Sequence, residues 1–165
     1  MNGENTDWGK SVSGVLIKDG KVLLARHTYG SGNGKLIIPG GYINIGESPE
    51  QAIVREYMEE TGVLIKPERI IGIRFNVHDW YVCFEVSYVD GTPRPDNDEN
   101  SEVIWVDIAE ALAREDVPGL SKSLIRAAMD SDSGLSQAEY ISRESDKPYS
   151  LFTAIWQPVK LIFFT

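Results

Sequence analysis

Cysteine is nearly absent from this chain of 165 residues: Cys83 stands alone. One thiol closes no intrachain disulfide and builds no cysteine-held zinc or iron–sulfur site. Basic residues are few, 16 Lys and Arg against 25 Asp and Glu, for a formal charge of −9 and a pI near 4.7. A sequence-independent grip on DNA or RNA needs a basic face, so a nucleic acid polymer is not an expected partner. Long apolar runs are also missing. None approaches the ~20 residues of a membrane span, so no membrane partner is expected. The start, Met1 to Asp7, is polar and acidic and lacks the basic-then-apolar order of a signal peptide. These absences leave a cytoplasmic protein, a monomer or small oligomer such as a homodimer, as the expectation. What remains is globular in composition, with 42% apolar and 25% charged residues.

The pattern mixes strands and helices. Ser11–Lys18 and Lys21–Arg26 are β-rich runs parted by Asp19-Gly20, a hairpin signal. Thr28 to Gly34 is a Gly/Ser/Asn loop, and Lys35 to Ile38 a short apolar run before Pro39-Gly40-Gly41. Ser48, Pro49 and Gln51 form a capping box that opens a helix, which Gly62 is placed to end. Val63–Val77, Trp80–Val89 and Glu102–Ile108 suit strands; Ala109–Arg114 and Ser121–Met129 suit helices. Together they predict an α/β (α+β) fold, a sheet with helices packed on it. Composition turns to Ser, Asp and Glu over residues 130–150, as in a mobile connection. Leu151–Thr165 is apolar again. The expected organisation is a domain over residues 1–130 and an extension over 131–165, docked on that domain or on a partner subunit, because so apolar a segment left in water would be prone to aggregate.

On the predicted helix, each residue advances ~100°. With Ala52 at zero, Glu56 falls near ~40°, Glu59 near ~340° and Glu60 near ~80°, so three carboxylates share one arc. Ile53, Val54, Tyr57 and Met58, between about 100° and 240°, are the expected buried stripe. Like charges at i, i+3 and i+4 repel by a few tenths of a kcal/mol per pair. A divalent cation over the arc would relieve that cost, and Mg²⁺ takes carboxylate oxygens while keeping positions open for water and phosphate. Pro39-Gly40-Gly41, just upstream, lets backbone approach a ligand closely.

Read as one string, Gly41, five residues, Glu47, seven residues and Arg55-Glu56-Tyr57-Met58-Glu59-Glu60-Thr61-Gly62-Val63 resembles the Nudix box, G-x5-E-x7-R-E-U-x-E-E-x-G-U, in which U is a bulky aliphatic residue. Tyr57 is the one departure, an aromatic where an aliphatic is usual. Lys21–Arg26 and Lys35–Gly41 resemble the segments before the box in the 8-oxo-dGTP pyrophosphatase branch, and Asp98–Glu102 with Trp105-Val106 resembles the acidic loop and strand after it. The likeness covers about residues 12–129.

The resemblance implies a Nudix-like α/β/α sandwich with a mixed central sheet. It implies metal-dependent hydrolysis of a pyrophosphate bond in a nucleoside diphosphate linked to X, with Mg²⁺ or Mn²⁺ as cofactor and a small nucleotide as substrate. Glu56, Glu59, Glu60 and the carbonyl of Gly40 match the metal ligands. Glu47 and Arg55 match a pair that braces the loop against the helix. Glu99 stands where some members carry a loop glutamate acting as base or extra ligand. Arg26 sits where members often place a basic residue facing phosphate, with Gly41 beside the substrate; His27 replaces what is often a second Arg. Tyr81, eighteen residues past Val63, matches a substrate tyrosine of dinucleoside polyphosphate hydrolases. The NADH subgroup's S-Q-P-W-P-F motif and the coenzyme A subgroup's L-L-T-x-R stretch are absent. His78 stands where the ADP-ribose subgroup usually has proline, and the late Asn of 8-oxo-guanine readers is missing near Leu120. A nucleotide-binding sensor that had lost catalysis would lack box carboxylates, and all are present. An isomerase on this fold needs an N-C-C-S-type cysteine, whereas Cys83 sits mid-strand as a small buried hydrophobe.

Overall fold

The computed structural model describes residues 9–76, 79–139 and 150–154. The hairpin forms as expected: β1 (Gly9–Lys18) turns into β2 (Lys21–His27) through Asp19 and Gly20, both at positive φ (51° and 75°). Positive φ at both central residues matches the right-handed twist of the flanking strands. A 3₁₀ turn (Gly30–Gly32), β3 (Leu36–Ile37) and β4 (Gly40–Tyr42) lead into α1 (Pro49–Thr61). Ser48 and Gln51 complete the capping box at its start, and Gly62, at φ 68°, closes its end in the left-handed conformation. Then follow β5 (Val63–Phe75), β6 (Asp79–Gly91), β7 (Asn100–Asp107), α2 (Ile108–Ala113), α3 (Gly119–Met129), β8 (Leu135–Ala138) and β9 (Leu151–Thr153).

The strands run β3-β2-β1-β6-β5-β8-β9, with β4 on β1 and β7 on β2. The sheet is mixed: β1 lies parallel to β6 and the other pairs are antiparallel. β1 and β2 pair only beside their turn, at Ile17↔Val22 and Lys18↔Lys21. Beyond that point β1 is free to accept β4, which sets Gly40 opposite Ser13 and Gly41 opposite Val12.

Strand alternation sends neighbouring side chains to opposite faces. Leu23 and Ala25 therefore join Ile53, Tyr57 and Phe84 in one core layer, while Val22 and Leu24 join Cys83, Val106 and Ile125 in the other. Helix α1 covers the first layer. Tyr57, the odd residue of the motif, is fully buried and donates a 2.7 Å hydrogen bond to the Gly14 carbonyl. A Cβ on Gly14 would stand 3.1 Å from the Tyr57 ring and 2.8 Å from Val86, so this glycine makes room for the phenol.

The buried face of α1 differs from the expected stripe. Ala52, Ile53, Tyr57, Glu60 and Thr61 are buried, whereas Met58 is exposed and Val54 half-buried. That face centres near ~90° on the helical wheel, so Glu60, at ~80°, lies inside it. The carboxylates do not share one solvated arc.

Within the tract after Asp130, the described residues 131–139 contain more order than their composition suggested, since β8 pairs with β5 at Arg69↔Ser136 and Ile70↔Leu135. Arg69 anchors the turn before it, donating to the carbonyls of Asp130 (2.7 Å) and Ser133 and pairing with Glu85. β9 pairs with β8, and Phe152 meets Phe84 edge-on at 5.6 Å. The expectations for residues 155–165 of the apolar tail, and for His78, lie outside the described residues. Ending the chain at Asp130 removes a phenyl ring packed on Phe84 and bares the edge of β5. Thermal unfolding should show a loss of about 2 kcal/mol, the value of burying one such side chain; an unchanged melting temperature would mean that these strands contribute nothing.

Candidate functional site

Three segments converge where β1 and β2 have separated: the glycine pair of β4, the outer face of α1, and the acidic loop before β7. The Gly40 N–H donates 3.0 Å to Glu60 Oε2, tying the helix to the loop. Glu60 is 4% exposed. Burial, with Glu56 and Glu99 nearby, pushes its pKa up to about 8, against the pull of the Gly40 N–H. Glu56 lies directly over Gly41, where a Cβ would stand 2.6 Å from its carboxylate, and burial raises its pKa as well. Any side chain at Gly41 would displace Glu56.

Arg55 gathers five acceptor oxygens from four residues. Its Nε and Nη2 donate to the two oxygens of Glu47 at 2.7 and 2.9 Å, its Nη1 to Glu56 (2.7 Å) and Glu59 (3.0 Å), and its Nη2 to the Tyr42 carbonyl (3.0 Å). The fork geometry suits a two-point grip on a carboxylate. Glu47 also accepts from the Asn44 N–H, and its pKa is lowered, chiefly by Arg55. The loop from Gly41 to Glu47 is thus fastened to α1 by one side chain. Glu59 is the outermost of the three helix carboxylates, its side chain 60% exposed.

Glu99 reaches the same place from the loop. Asp96 Oδ1 accepts from the backbone of Asp98 and Asn100, which shapes the turn, and Thr28 bonds to the carbonyls of Asp98 and Glu99, which pins it to the end of β2. Tyr29 donates 2.9 Å to Glu99 Oε2; its own pKa is pushed up to about 12 by burial and by that carboxylate. His27, Glu60 and Glu99 each place a ligand atom within 4.8 Å of the others. Asn100 is fully buried beside Glu60, and neither amide atom has a hydrogen bond of normal geometry.

Two adjoining clefts of about 410 and 370 Å³ open here and share His27, Gly40 and Gly41. Glu56 and Glu99 line the first, Tyr81 and Arg74 the second. Tyr81 shares a hydrogen bond with Ser13 Oγ and lies under the Arg74 guanidinium, 5.0 Å from its ring centre. A cavity of similar size near Lys18, Tyr88 and Trp105 is built without Glu56, Glu60 or Glu99.

Arg26 does not face this cleft. It donates to Glu102 (2.7 Å), Asp116 (3.1 Å) and the Gly34 carbonyl, so its charge is spent on holding β2 to β7 and to the segment before α3. A register shift between Arg26 and His27 separates the two side chains, and His27 lines the cleft instead. Sequence reasoning passed over Arg74 and Tyr29. Arg74 becomes visible only through its pairing with Tyr81 across β5 and β6, and Tyr29 only through its contact with a loop 70 residues on.

The donors fit a hard divalent cation. Glu56, Glu60 and Glu99 offer oxygens, and Glu60 is a buried carboxylate with no cationic side chain bonded to it among the described residues. In metal-free protein, native Glu60 binds a proton between pH ~4.5 and ~8 that the unfolded chain has released. Stability in EDTA should therefore fall as pH rises through that window, and Mg²⁺ should flatten the slope. Melting curves from pH 5 to 8.5, with EDTA or Mg²⁺, check this; parallel slopes would show that no cation meets Glu60.

The NUDIX domain family model matches residues 8–127. The chain is 38% identical to an ADP-ribose pyrophosphatase of Methanocaldococcus jannaschii, over 38% of this chain and 37% of that protein. It is 30% identical to the NAD-capped RNA hydrolase NudC of Vibrio atlanticus, over 76% of this chain and 47% of that one. The chain thus spans less than half the length of these two relatives. A solved NUDIX hydrolase from Nitrosomonas europaea superposes with a TM-score of 0.63 at 29% identity, covering 73% of this chain and 88% of that one. No helix among the described residues is long and apolar enough to cross a membrane.

Proposed function

The chain belongs to the NUDIX family, and from that premise we propose that it hydrolyses a pyrophosphate bond in a nucleoside diphosphate linked to X, using a divalent cation. The observation that carries the reading is the buried Glu60, bonded to the Gly40 N–H and flanked by Glu56 and Glu99 at a cleft floored by Gly40 and Gly41. Glu56, Glu59 and Glu60 would hold Mg²⁺ or Mn²⁺, with the Gly40 carbonyl. Bound there, the cation would neutralise phosphate oxygens and lower the pKa of an attacking water. Glu99, on the loop side of the cleft, would join the ligands of the cation or take the proton of that water. Arg55 and Glu47 hold the loop and helix at a constant separation. Tyr81 and Gly41 line the space a nucleotide would fill.

Residues 1–130 are read as the catalytic domain and 131–165 as an extension docked on it, a reading supported by β8, β9 and Phe152. The likeness to the 8-oxo-dGTP branch assigns no substrate, because the relatives' names span ADP-ribose and NAD-capped RNA. The formal charge of −9 favours a small nucleotide over an RNA polymer.

A panel of ADP-ribose, NAD, nucleoside diphosphate sugars, dinucleoside polyphosphates and 8-oxo-dGTP, each with Mg²⁺ or Mn²⁺, tests the proposal. Cleavage at a phosphoanhydride bond, identified from the products, is the expected result. Nucleotide binding without any cleavage would favour the sensor.

A further inference from the structure

At the end of β2 the structure holds a histidine where a basic phosphate contact was expected. The register shift after Arg26 turns His27 toward the acidic loop, as bulges re-aim side chains. The imidazole is half-buried in the wall of the cleft. Tyr29 lies against it, ring centres 4.4 Å apart, and a Cβ on Gly32 would stand only 2.9 Å from its Nδ1. Tyr29 also holds Glu99 through its hydroxyl, so one residue positions both members of a pair facing Glu60. Asn100, fully buried with its amide lacking a normal hydrogen bond, pairs with His27 in the strand register and lies beside Glu60. The site thus has an imidazole, two carboxylates and a polar group without a settled partner.

We propose that His27 is a nitrogen ligand to a divalent cation shared with Glu60 and Glu99, and that it biases this site toward Mn²⁺ and Co²⁺ over Mg²⁺. The proposal rests on the hydrolase reading for the presence of a cation and adds a donor of a different kind. Opposed ligands on a small octahedral cation lie about 4.2 Å apart. Only one pair among three ligands can be opposed, and adjacent ligands lie about 3.0 Å apart, so the three donor atoms, within 4.8 Å of one another, draw in by up to about 1.8 Å around the cation. Carboxylate and water alone suit Mg²⁺, whereas imidazole suits first-row transition ions, which also gain along the Irving–Williams order.

The test uses the full chain with Mn²⁺ and no nucleotide. Pulsed electron paramagnetic resonance should show ¹⁴N modulation from a bound imidazole. The signal should vanish in His27→Gln, persist in His78→Gln, and change to the ¹⁵N pattern when wild-type protein carries ¹⁵N-histidine. Calorimetric titration should show the ratio of Mn²⁺ to Mg²⁺ affinity falling about tenfold in His27→Gln, the scale on which a ligand environment alters metal affinity. Should His27→Gln fail to fold, ¹⁵N-histidine-labelled His78→Gln, in which His27 is the one remaining histidine, decides. Bound Mn²⁺ without ¹⁴N modulation overturns the assignment, as does modulation that survives in His27→Gln. Hydrolysis of a nucleotide with no ¹⁴N signal sinks His27 as a ligand and leaves the hydrolase standing; a ¹⁴N signal with no hydrolysis of any nucleotide does the reverse.

Discussion

Replacing Glu60 by Gln should lower kcat by at least about 10²-fold, the lower end of what a positioned catalytic group supplies. The shape of the side chain is kept, and its hydrogen bond from the Gly40 N–H can still be accepted by the amide oxygen. What is lost is the charge that a cation would meet. The same change should raise the melting temperature of metal-free protein. Glu60 is 4% exposed and faces Glu56 and Glu99, so its charge is costly there until a cation arrives. A variant both slower and more stable is the signature of a ligand carboxylate, because a structural acid would lose stability and a solvated one would change neither. Steady-state kinetics with Mg²⁺ and melting curves in EDTA provide the two readouts; a wild-type rate in Glu60→Gln would reduce the cluster to an acidic surface.

Replacing Arg55 by Ala should act more broadly. Glu47 and Glu56, with side chains 18% and 13% exposed, would lose their cation together, and the Tyr42 carbonyl would lose a donor. Leaving such carboxylates unpaired should cost about 2 kcal/mol, a figure set below that of fully buried pairs because solvent reaches all the partners. Activity should fall about 10²-fold, the upper range for groups that orient metal ligands. Arg55→Lys should recover part of the stability, since an ammonium restores charge but not the fork that grips both oxygens of Glu47. A crystal structure of Arg55→Ala should show the loop from Gly41 to Glu47 displaced. An unchanged loop and an unchanged rate would remove the bracing role.

Much of this architecture is legible before any coordinates. Asp19-Gly20 between two β-rich runs specifies the first hairpin, and Ser48-Pro49 with Gln51 and Gly62 specifies both ends of α1, because turns and caps are local chemistry acting over a few residues. The motif from Gly41 to Val63 likewise announces carboxylates at helical spacing beside a glycine pair. By itself, the sequence determines which residue types stand near one another along the chain, and hence the kind of site.

The direction each of them faces was decided by contacts far apart in sequence. A helical wheel places Glu56, Glu59 and Glu60 on one arc, but cannot say which side of that arc β4 will cover. The Gly40–Glu60 bond, across 20 residues, answers this by burying Glu60 and leaving Glu59 outside. Arg26 and His27 are adjacent basic candidates in the sequence. Glu102 and Asp116, 76 and 90 residues on, claim the first, and a shift in strand register delivers the second to the cleft. The tract after Asp130 has a linker's composition, yet its residues 135–138 form a strand because the edge of β5 offers unpaired hydrogen-bonding groups. Local propensity selects an element's type and ends, whereas burial and charge pairing are properties of the assembled sheet, and these decided which of the candidate residues form the site.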